Sequence, residues 1–473
     1  MKIIGRSKEQ GVILDCLQSP RAEFLTLYGR RRVGKTFLIK EFFNNQFSFY
    51  TTGIANQKTK EQLRVFHSAL QEYGDSNKAI PSNWLEAFSR LKQILESRTV
   101  IRDASSGKRV VFLDELPWMD TAKSDFKSAL DYFWNSWGST QSDLLLIVCG
   151  SATSWILDNL VSSKGGLYNR ITKQIHLLPF NLKECEELLI YNDYHLSREQ
   201  LLECYMILGG IPYYLNCLNR RLSLAQNIDE LCFNDNGQLR HENDRLFQSL
   251  FKHSEKHIAI IKAIAKKKSG ITRVELAKMN KIGDGEPLTK ALKELEQCGF
   301  IRKYKNFVKN KQGFYYQLID PFVLFHLNFI EDQKINSWSS YINSPSYYSW
   351  SGNSFEIACL NHINQIKTAL GISGISSTEY SWKSKASIDD AQIDLLIDRK
   401  DNVINVCEMK HTLEAFTIND AYAKSLTHKL VLFREETHTK KTLCLTMIST
   451  NGIVVNSYSG IIQNEINLNN LFA

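Results

Sequence analysis

At 473 residues, with 43% hydrophobic and 23% charged, the chain is long enough for about three domains, and its composition excludes a disordered or fibrous protein. No run of about 18 uncharged apolar residues occurs, so no membrane span is expected; Arg6, Lys8 and Glu9 interrupt the stretch a signal peptide would need, so a cytoplasmic protein is expected. The net charge of +8 is local: residues 251–313 hold 16 Lys and Arg against 6 Asp and Glu, leaving the remainder about neutral.

In chain order, the first predicted elements are three apolar strands, EFLTLYG (23–29), VVFLDEL (110–116) and LLLIVCG (144–150). Nearly continuous apolar runs of this kind suit strands covered on both faces. Helical spacing lies between them, as at Leu85, Phe88, Leu91 and Leu95. Residues 1–180 are therefore expected to form an α/β domain, a parallel sheet with helices on both faces. Residues 181–250 lose the strand pattern and read as a small helical lid. The ten cysteines are scattered without a CxxC pair, and most, such as Cys149 and Cys204, sit among apolar neighbours as small buried hydrophobes.

The first strand runs into Gly29, Arg30, Arg31, Arg32, Val33, Gly34, Lys35 and Thr36, the spacing G-x-x-x-x-G-K-[ST], and Phe37 carries the chain on as a helix. Glycines allow the tight turn in which successive amides point at phosphate, and the helix start adds its own free N–H groups. Lys35 is the expected partner of the β- and γ-phosphates, and the Thr36 hydroxyl of Mg²⁺. Asp114 ends the second strand as the expected second magnesium partner. Glu115 follows as the expected base that activates water. Ser151, after the third strand, is placed to sense the γ-phosphate. This segment points to a nucleoside triphosphatase core.

Residues 1–250 resemble the archaeal-type ATPases, a branch of the AAA-related P-loop ATPases. The resemblance rests on IIGRSKE (3–9), GRRRVGKT (29–36), FLDELPW (112–118), VCGSATSWI (148–156), GLYNR (166–170) and GGIPYYL (209–215). It implies that ATP is the nucleotide, and that Ile4-Gly5-Arg6 and Gly210-Ile211-Pro212 flank the base. It also makes Arg170 a candidate arginine finger acting in trans between subunits of a homo-oligomer; the other reading of Arg170 is an ion pair at a helix end.

Residues 251–320 change character. HIAIIKAIA, TRVELAKM and GEPLTKALKELEQCGF read as three helices, the last with Leu288, Leu292 and Leu295 on one face; FIRKYKN and GFYYQLID read as two strands. Three helices and a hairpin in this order describe a winged helix, which with the local basic excess points to nucleic acid, DNA above all. Lysines solvating short helices would give the same charge. Residues 321–353, with SWSSYINSPSYYSWSGN at their end, read as a linker.

Residues 354–473 contain AQIDLLIDRKDNVINVCEMK, a predicted hairpin turning near Asp401. That turn sets Asp394 opposite Glu408, with Lys410 two residues on and so on the same face. Two carboxylates suit Mg²⁺ at a phosphodiester, and a lysine steadies the attacking water. The segment resembles the PD-(D/E)xK nuclease superfamily over roughly 350–450. The resemblance adds Glu356, in SFEIACLNHI, to the acids; the chain departs from the pattern in having no proline before Asp394. Two functions follow: a DNA-acting ATPase with a magnesium-dependent nuclease site, or an ATP-driven switch that binds DNA or a protein without cutting.

Overall fold

The three apolar runs form the centre of a five-stranded parallel sheet. In the computed structural model, which describes residues 2–151, 153–161, 170–251, 254–279, 282–307, 314–331, 335–384 and 391–473, they are β1 (Glu23–Tyr28), β3 (Arg109–Asp114) and β4 (Leu144–Gly150). Two further strands, β2 (Phe49–Thr52) and β5 (Lys173–His176), complete the order β2-β3-β4-β1-β5. Every residue of β3 and β4 is buried, whereas β2 and β5 alternate between buried and more exposed positions as edge strands do. Runs of four residues with that pattern carry no long apolar signature, so periodicity marks three of the five strands.

Helices Thr59–Glu72, Trp84–Glu96 and Phe126–Ser136 supply Phe66, Trp84, Phe88 and Phe126 to the core against this sheet. Trp84 and Phe126 meet edge to face, with ring centroids 4.7 Å apart. Asn83 starts one of these helices by accepting from the Glu86 amide, a local device that sets where the helix begins.

The chain divides into two compact units, residues 1–178 and 179–473. The second opens with helices Leu182–Tyr191 and Arg198–Leu208, each started by a capping box (Asn181 with Glu184, Ser197 with Gln200). Helices Ser254–Ala265, Arg273–Ala277 and Glu286–Gln297 then pack Ile260, Ile264, Leu288, Leu292 and Leu295 into one core. A small antiparallel sheet completes this module: β6 (Ile271–Thr272), β7 (Ile301–Tyr304) and β8 (Tyr315–Leu318), in the order β6-β8-β7.

The expected linker at 321–353 is a correction. Its first residues form helix Pro321–Phe325, and its last belong to a long helix, Pro345–Asn361. Between them Trp338 is 0% exposed and packs on Phe325, Phe329 and Trp350, with ring centroids 5.0, 5.3 and 5.2 Å away. The Ser and Pro that suggested a linker are helix-start residues: Ser344 accepts from the Tyr347 amide and Pro345 takes the first helical position. The aromatic residues between the polar ones are core.

The last domain is built on β9 (Ser377–Lys383), β10 (Gln392–Arg399), β11 (Val403–Lys410), β12 (Thr442–Ser449) and β13 (Asn464–Ile466), in the order β13-β12-β11-β10-β9. β9, β10 and β11 are antiparallel neighbours, and β11, β12 and β13 parallel ones. Helix Asp420–Thr437 buries Leu426 and Phe433 with Trp382, Leu396 and Val406.

Candidate functional site

β1 delivers the chain to Gly29 at φ 148°, where a Cβ would lie 2.3 Å from the Leu177 carbonyl oxygen. Only glycine fits there. The loop turns through Arg32 (φ 72°) and Gly34 (φ 92°) into helix Lys35–Phe42, whose N-cap, Gly34, has no side chain to satisfy the first amides. Those N–H groups and the positive end of the helix dipole are left for an anion. Arg30 and Val33 are buried in the loop, Arg31 and Phe37 are exposed, and Arg32 is half-buried. The Lys35 ammonium is itself buried; it donates to the carbonyls of Gly29 (2.9 Å) and Arg30 (3.0 Å) and to Ser151 Oγ (3.1 Å).

The strand order does the rest. β4 lies between β1 and β3, so residues far apart in sequence meet at the carboxyl ends of the strands. Thr36 Oγ1 donates to Asp114 Oδ2 at 2.9 Å, while Asp114 Oδ1 accepts from the Cys149 thiol (2.6 Å) and the Glu115 amide (2.9 Å). Burial raises the Asp114 carboxyl and the Glu115 charge adds to this, against the opposing Cys149 and Thr36 hydrogen bonds. A hydroxyl beside a buried carboxylate fits Mg²⁺, which prefers oxygen donors and would offset the cost of burying that charge. Glu115 adopts a left-handed φ of 45°, and its carboxylate accepts from Ser151 through both Oγ (2.7 Å) and N (3.2 Å). Ser151 is thus the middle of a chain running Lys35–Ser151–Glu115.

Arg6, buried, donates to the Val33 carbonyl at 3.3 Å and so holds the Ile4-Gly5-Arg6 segment to the phosphate loop. Arg170 is exposed three residues ahead of β5, and no acid pairs with it among the described residues. The rest of GLYNR, residues 166–169, lies outside the described residues. Gly210-Ile211-Pro212 belongs to the second unit, where the Gly210 carbonyl accepts from the Phe180 amide (2.7 Å) and Pro212 opens helix Pro212–Leu215.

In the last domain the β10–β11 pairing runs from Asp398–Ile404 to Leu395–Cys407, and Asp394 and Glu408 are each the next residue along their strands. Glu356, on helix Pro345–Asn361, joins them: burial, then the Asp394 charge, raises its carboxyl to about 8, with Glu408 adding and Lys410 and Lys268 opposing. Glu408 accepts from Lys429 Nζ (2.7 Å) and the Tyr422 hydroxyl (2.8 Å), and Lys410 Nζ lies 3.1 Å away. Burial alone would raise the Glu408 carboxyl, but the Lys429 and Lys410 charges outweigh it and hold it low. Asp394 accepts from the Gln392 side-chain amide. Among the described residues no three His, Cys, Asp or Glu side chains converge on a metal position.

Sequence reasoning missed Cys149, Tyr422 and Lys429. Tyr422 and Lys429 are seven apart, two turns along one helix face, but nothing in that spacing names Glu408 as their target.

Residues 4–218 match the family described as an ATPase domain predominantly from Archaea. An uncharacterized protein of Methanocaldococcus jannaschii is 25% identical over 331 residues, 69% of this chain and 68% of that protein. Among solved structures, a Walker-type ATPase of Pyrococcus abyssi is similar with a TM-score of 0.47 at 20% identity, over 69% of this chain and 96% of its own. The ORC2 protein of Aeropyrum pernix is similar with a TM-score of 0.43 at 13% identity, over 70% and 95%. The N-terminal domain is an ATPase domain, one that binds and hydrolyses ATP. Among the described residues no helix is long and apolar enough to cross a membrane.

Proposed function

We propose that the protein uses ATP hydrolysis to act on DNA, holding it with a winged helix over 251–320 and presenting it to a magnesium-dependent, nuclease-like site. The observation that supports this reading is the buried Glu356 carboxyl, which feels the charges of Asp394, Lys410 and Glu408 from β10 and β11. In the N-terminal domain, the loop Gly29–Phe37 holds the phosphates, Lys35 neutralises them, and Thr36 and Asp114 hold magnesium. Glu115 takes the proton of the attacking water. Ser151 keeps Glu115 and Lys35 in register, and a γ-phosphate would compete with it for the Lys35 ammonium and with Glu115 for the Ser151 hydroxyl. Arg6 belongs to the nucleotide's base end. Arg170, exposed and free of an acid among the described residues, acts on a neighbouring subunit.

In the last domain Asp394, Glu408 and Glu356 hold magnesium and Lys410 orients the attacking water. Magnesium, when bound, supplies the charge that polarises the phosphodiester. The winged-helix reading is supported by exposed Lys266, Lys268, Lys278, Lys290, Lys303 and Lys305. Several of these lie off the third helix, on loops and on β7, which suits grip on phosphates more than readout of base edges.

The test is plasmid DNA with Mg²⁺, with and without ATP, beside a Glu408→Ala/Lys410→Ala double variant. Cleavage lost in the variant supports the reading; cleavage absent from both proteins rejects the nuclease. A second reading, an ATP-driven switch that binds DNA without cutting, is favoured by one observation: the Glu408 carboxylate is already occupied by Lys429, Tyr422 and Lys410. It predicts ATP-dependent DNA binding with a steep salt dependence and intact plasmid.

A further inference from the structure

The β7–β8 hairpin does not stop at its own small sheet. Beyond β7 the chain reaches β9: Asn306 forms a parallel bridge with Ser381, and the Phe307 amide donates to the Ser381 carbonyl at 2.9 Å. The Phe307 ring packs on Tyr380 and Phe433, with centroids 5.3 and 5.2 Å away. At this place the β9–β10 register slips. Ile393 faces Trp382 and Leu396 faces Tyr380, so Asp394 and Leu395 together oppose Ser381 alone. That is a β-bulge, and it falls on the candidate acid.

A bulge re-aims the side chains at it, because one step of register moves a residue to the opposite face of the sheet. Here the bulge falls on Asp394, so it sets the face of the sheet on which that side chain stands. Arg302, on β7, has its Nη2 3.5 Å from the Asp394 carbonyl oxygen. Its Nε donates to Gln317 Oε1 at 2.7 Å, and its guanidinium lies 4.5 Å from the centre of the Tyr304 ring. Gln317 Nε2 in turn donates to the Lys268 carbonyl at 2.8 Å. The contacts therefore run without a break from the loop of Lys266 and Lys268 through Gln317 and Arg302 to Asp394. A cavity of about 210 Å³ lies along the same seam, with Lys267, Tyr304, Trp382, Lys383 and Gln392 among its lining. Gln392 is also the side chain that bonds the Asp394 carboxylate.

We propose that Arg302 is a positioning residue for Asp394, so that the basic helical module sets the geometry of the acid cluster and couples nucleic-acid binding to it. The coupling rests on the nuclease-like reading above; the placement of Asp394 by Arg302 does not. A planar guanidinium spans Gln317 and the bulge at once, which a lysine ammonium cannot.

The test uses the full chain as wild type, Arg302→Met, Arg302→Lys, Gln317→Leu and Asp394→Asn. Amide exchange over 392–398, read by mass spectrometry, reports the bulge; Mn²⁺ affinity and the split of plasmid cleavage into kcat and KM report the site. Both Arg302 variants are expected to speed exchange over 392–398 and to weaken Mn²⁺ binding about tenfold, the scale of one lost charge-assisted hydrogen bond. The expected kinetic signature is a lower kcat with KM little changed, and Gln317→Leu should act in the same direction with a smaller effect. Exchange unchanged from wild type in Arg302→Met and Gln317→Leu overturns the proposal. Should Arg302→Met exchange faster throughout, Gln317→Leu, which removes one amide and no charge, decides. A wild type with no Asp394-dependent Mn²⁺ binding removes the nuclease-like reading and with it the coupling, and the exchange results then decide whether Arg302 positions the bulge.

Discussion

His362 makes the stability of the second unit acid-sensitive. The ring is 0% exposed; its Nδ1 lies 2.7 Å from the Ala358 carbonyl oxygen, and its Nε2 lies 2.9 Å from the Leu182 amide. Those partners assign the proton to Nδ1 and make Nε2 an acceptor. The contact ties the end of the helix carrying Glu356 to the start of helix Leu182–Tyr191. Burial pushes the imidazole down to about 4, against the opposing pull of the Ala358 carbonyl. The folded value lies below the ordinary value of about 6.5, so the unfolded chain takes up the proton first. The stability held by the neutral ring is complete above about pH 6.5 and is lost as pH falls toward 4. A gap of about 2.5 pH units corresponds to about 3 kcal/mol. The chemistry gives a similar size: a proton on Nε2 faces the Leu182 N–H, and an unsatisfied buried amide costs about 1–3 kcal/mol. His411, also brought down to about 4 by burial, adds an effect of the same sign. Imidazole C2–H exchange reads the pKa of His362 directly. Urea melts at pH 7 and pH 4.5, with His362→Phe alongside, read the linkage. The variant should lose the His362 share of the acid sensitivity and keep those of His411 and of Glu356, whose carboxyl, raised to about 8, acts with the opposite sign. Titration of His362 near 6.5, or equal acid sensitivity in the variant, would refute the reasoning.

Lys35→Ala removes a buried cation from the phosphate loop and should weaken ATP binding by roughly 10–100-fold in calorimetry; an unchanged Kd would show that the loop does not hold phosphate. Glu115→Gln keeps an oxygen for Ser151 to bond, so affinity should hold while turnover falls about 10²–10⁴-fold, and normal phosphate release would defeat its assignment as the base. Trp338→Ala empties the centre of the aromatic cluster and should cost about 3–5 kcal/mol in the second unit. A urea midpoint that barely moves would mean that 321–353 behaves as a linker after all.

The phosphate loop was legible because its chemistry is local. Gly29 and Gly34 set the turn, the amides between them are consecutive, and Lys35 and Thr36 follow at once. The hairpin of β10 and β11 was legible for a related reason, since a short turn near Asp401 fixes its register from Asp398–Ile404 to Leu395–Cys407. The linker was misread because Ser, Pro and Tyr are ambiguous by composition. Trp338 is core only because Phe325, Phe329 and Trp350 reach it from two separate helices.

The sequence by itself determined the conformations and groups that a few neighbouring residues specify: the loop, the helix starts at Asn181 and Ser197, and the apolar strands. Only the tertiary structure decided which charges meet. Strand order brings Cys149 and Ser151 to Asp114, Glu115 and Lys35, and the helix over β10 and β11 brings Lys429 and Tyr422 to Glu408. The bulge that places Asp394 is likewise gripped from another module by Arg302. Periodicity records which face of an element is buried but not against which partner. The energy of a charge, however, depends on its neighbours in space, and those are chosen by topology.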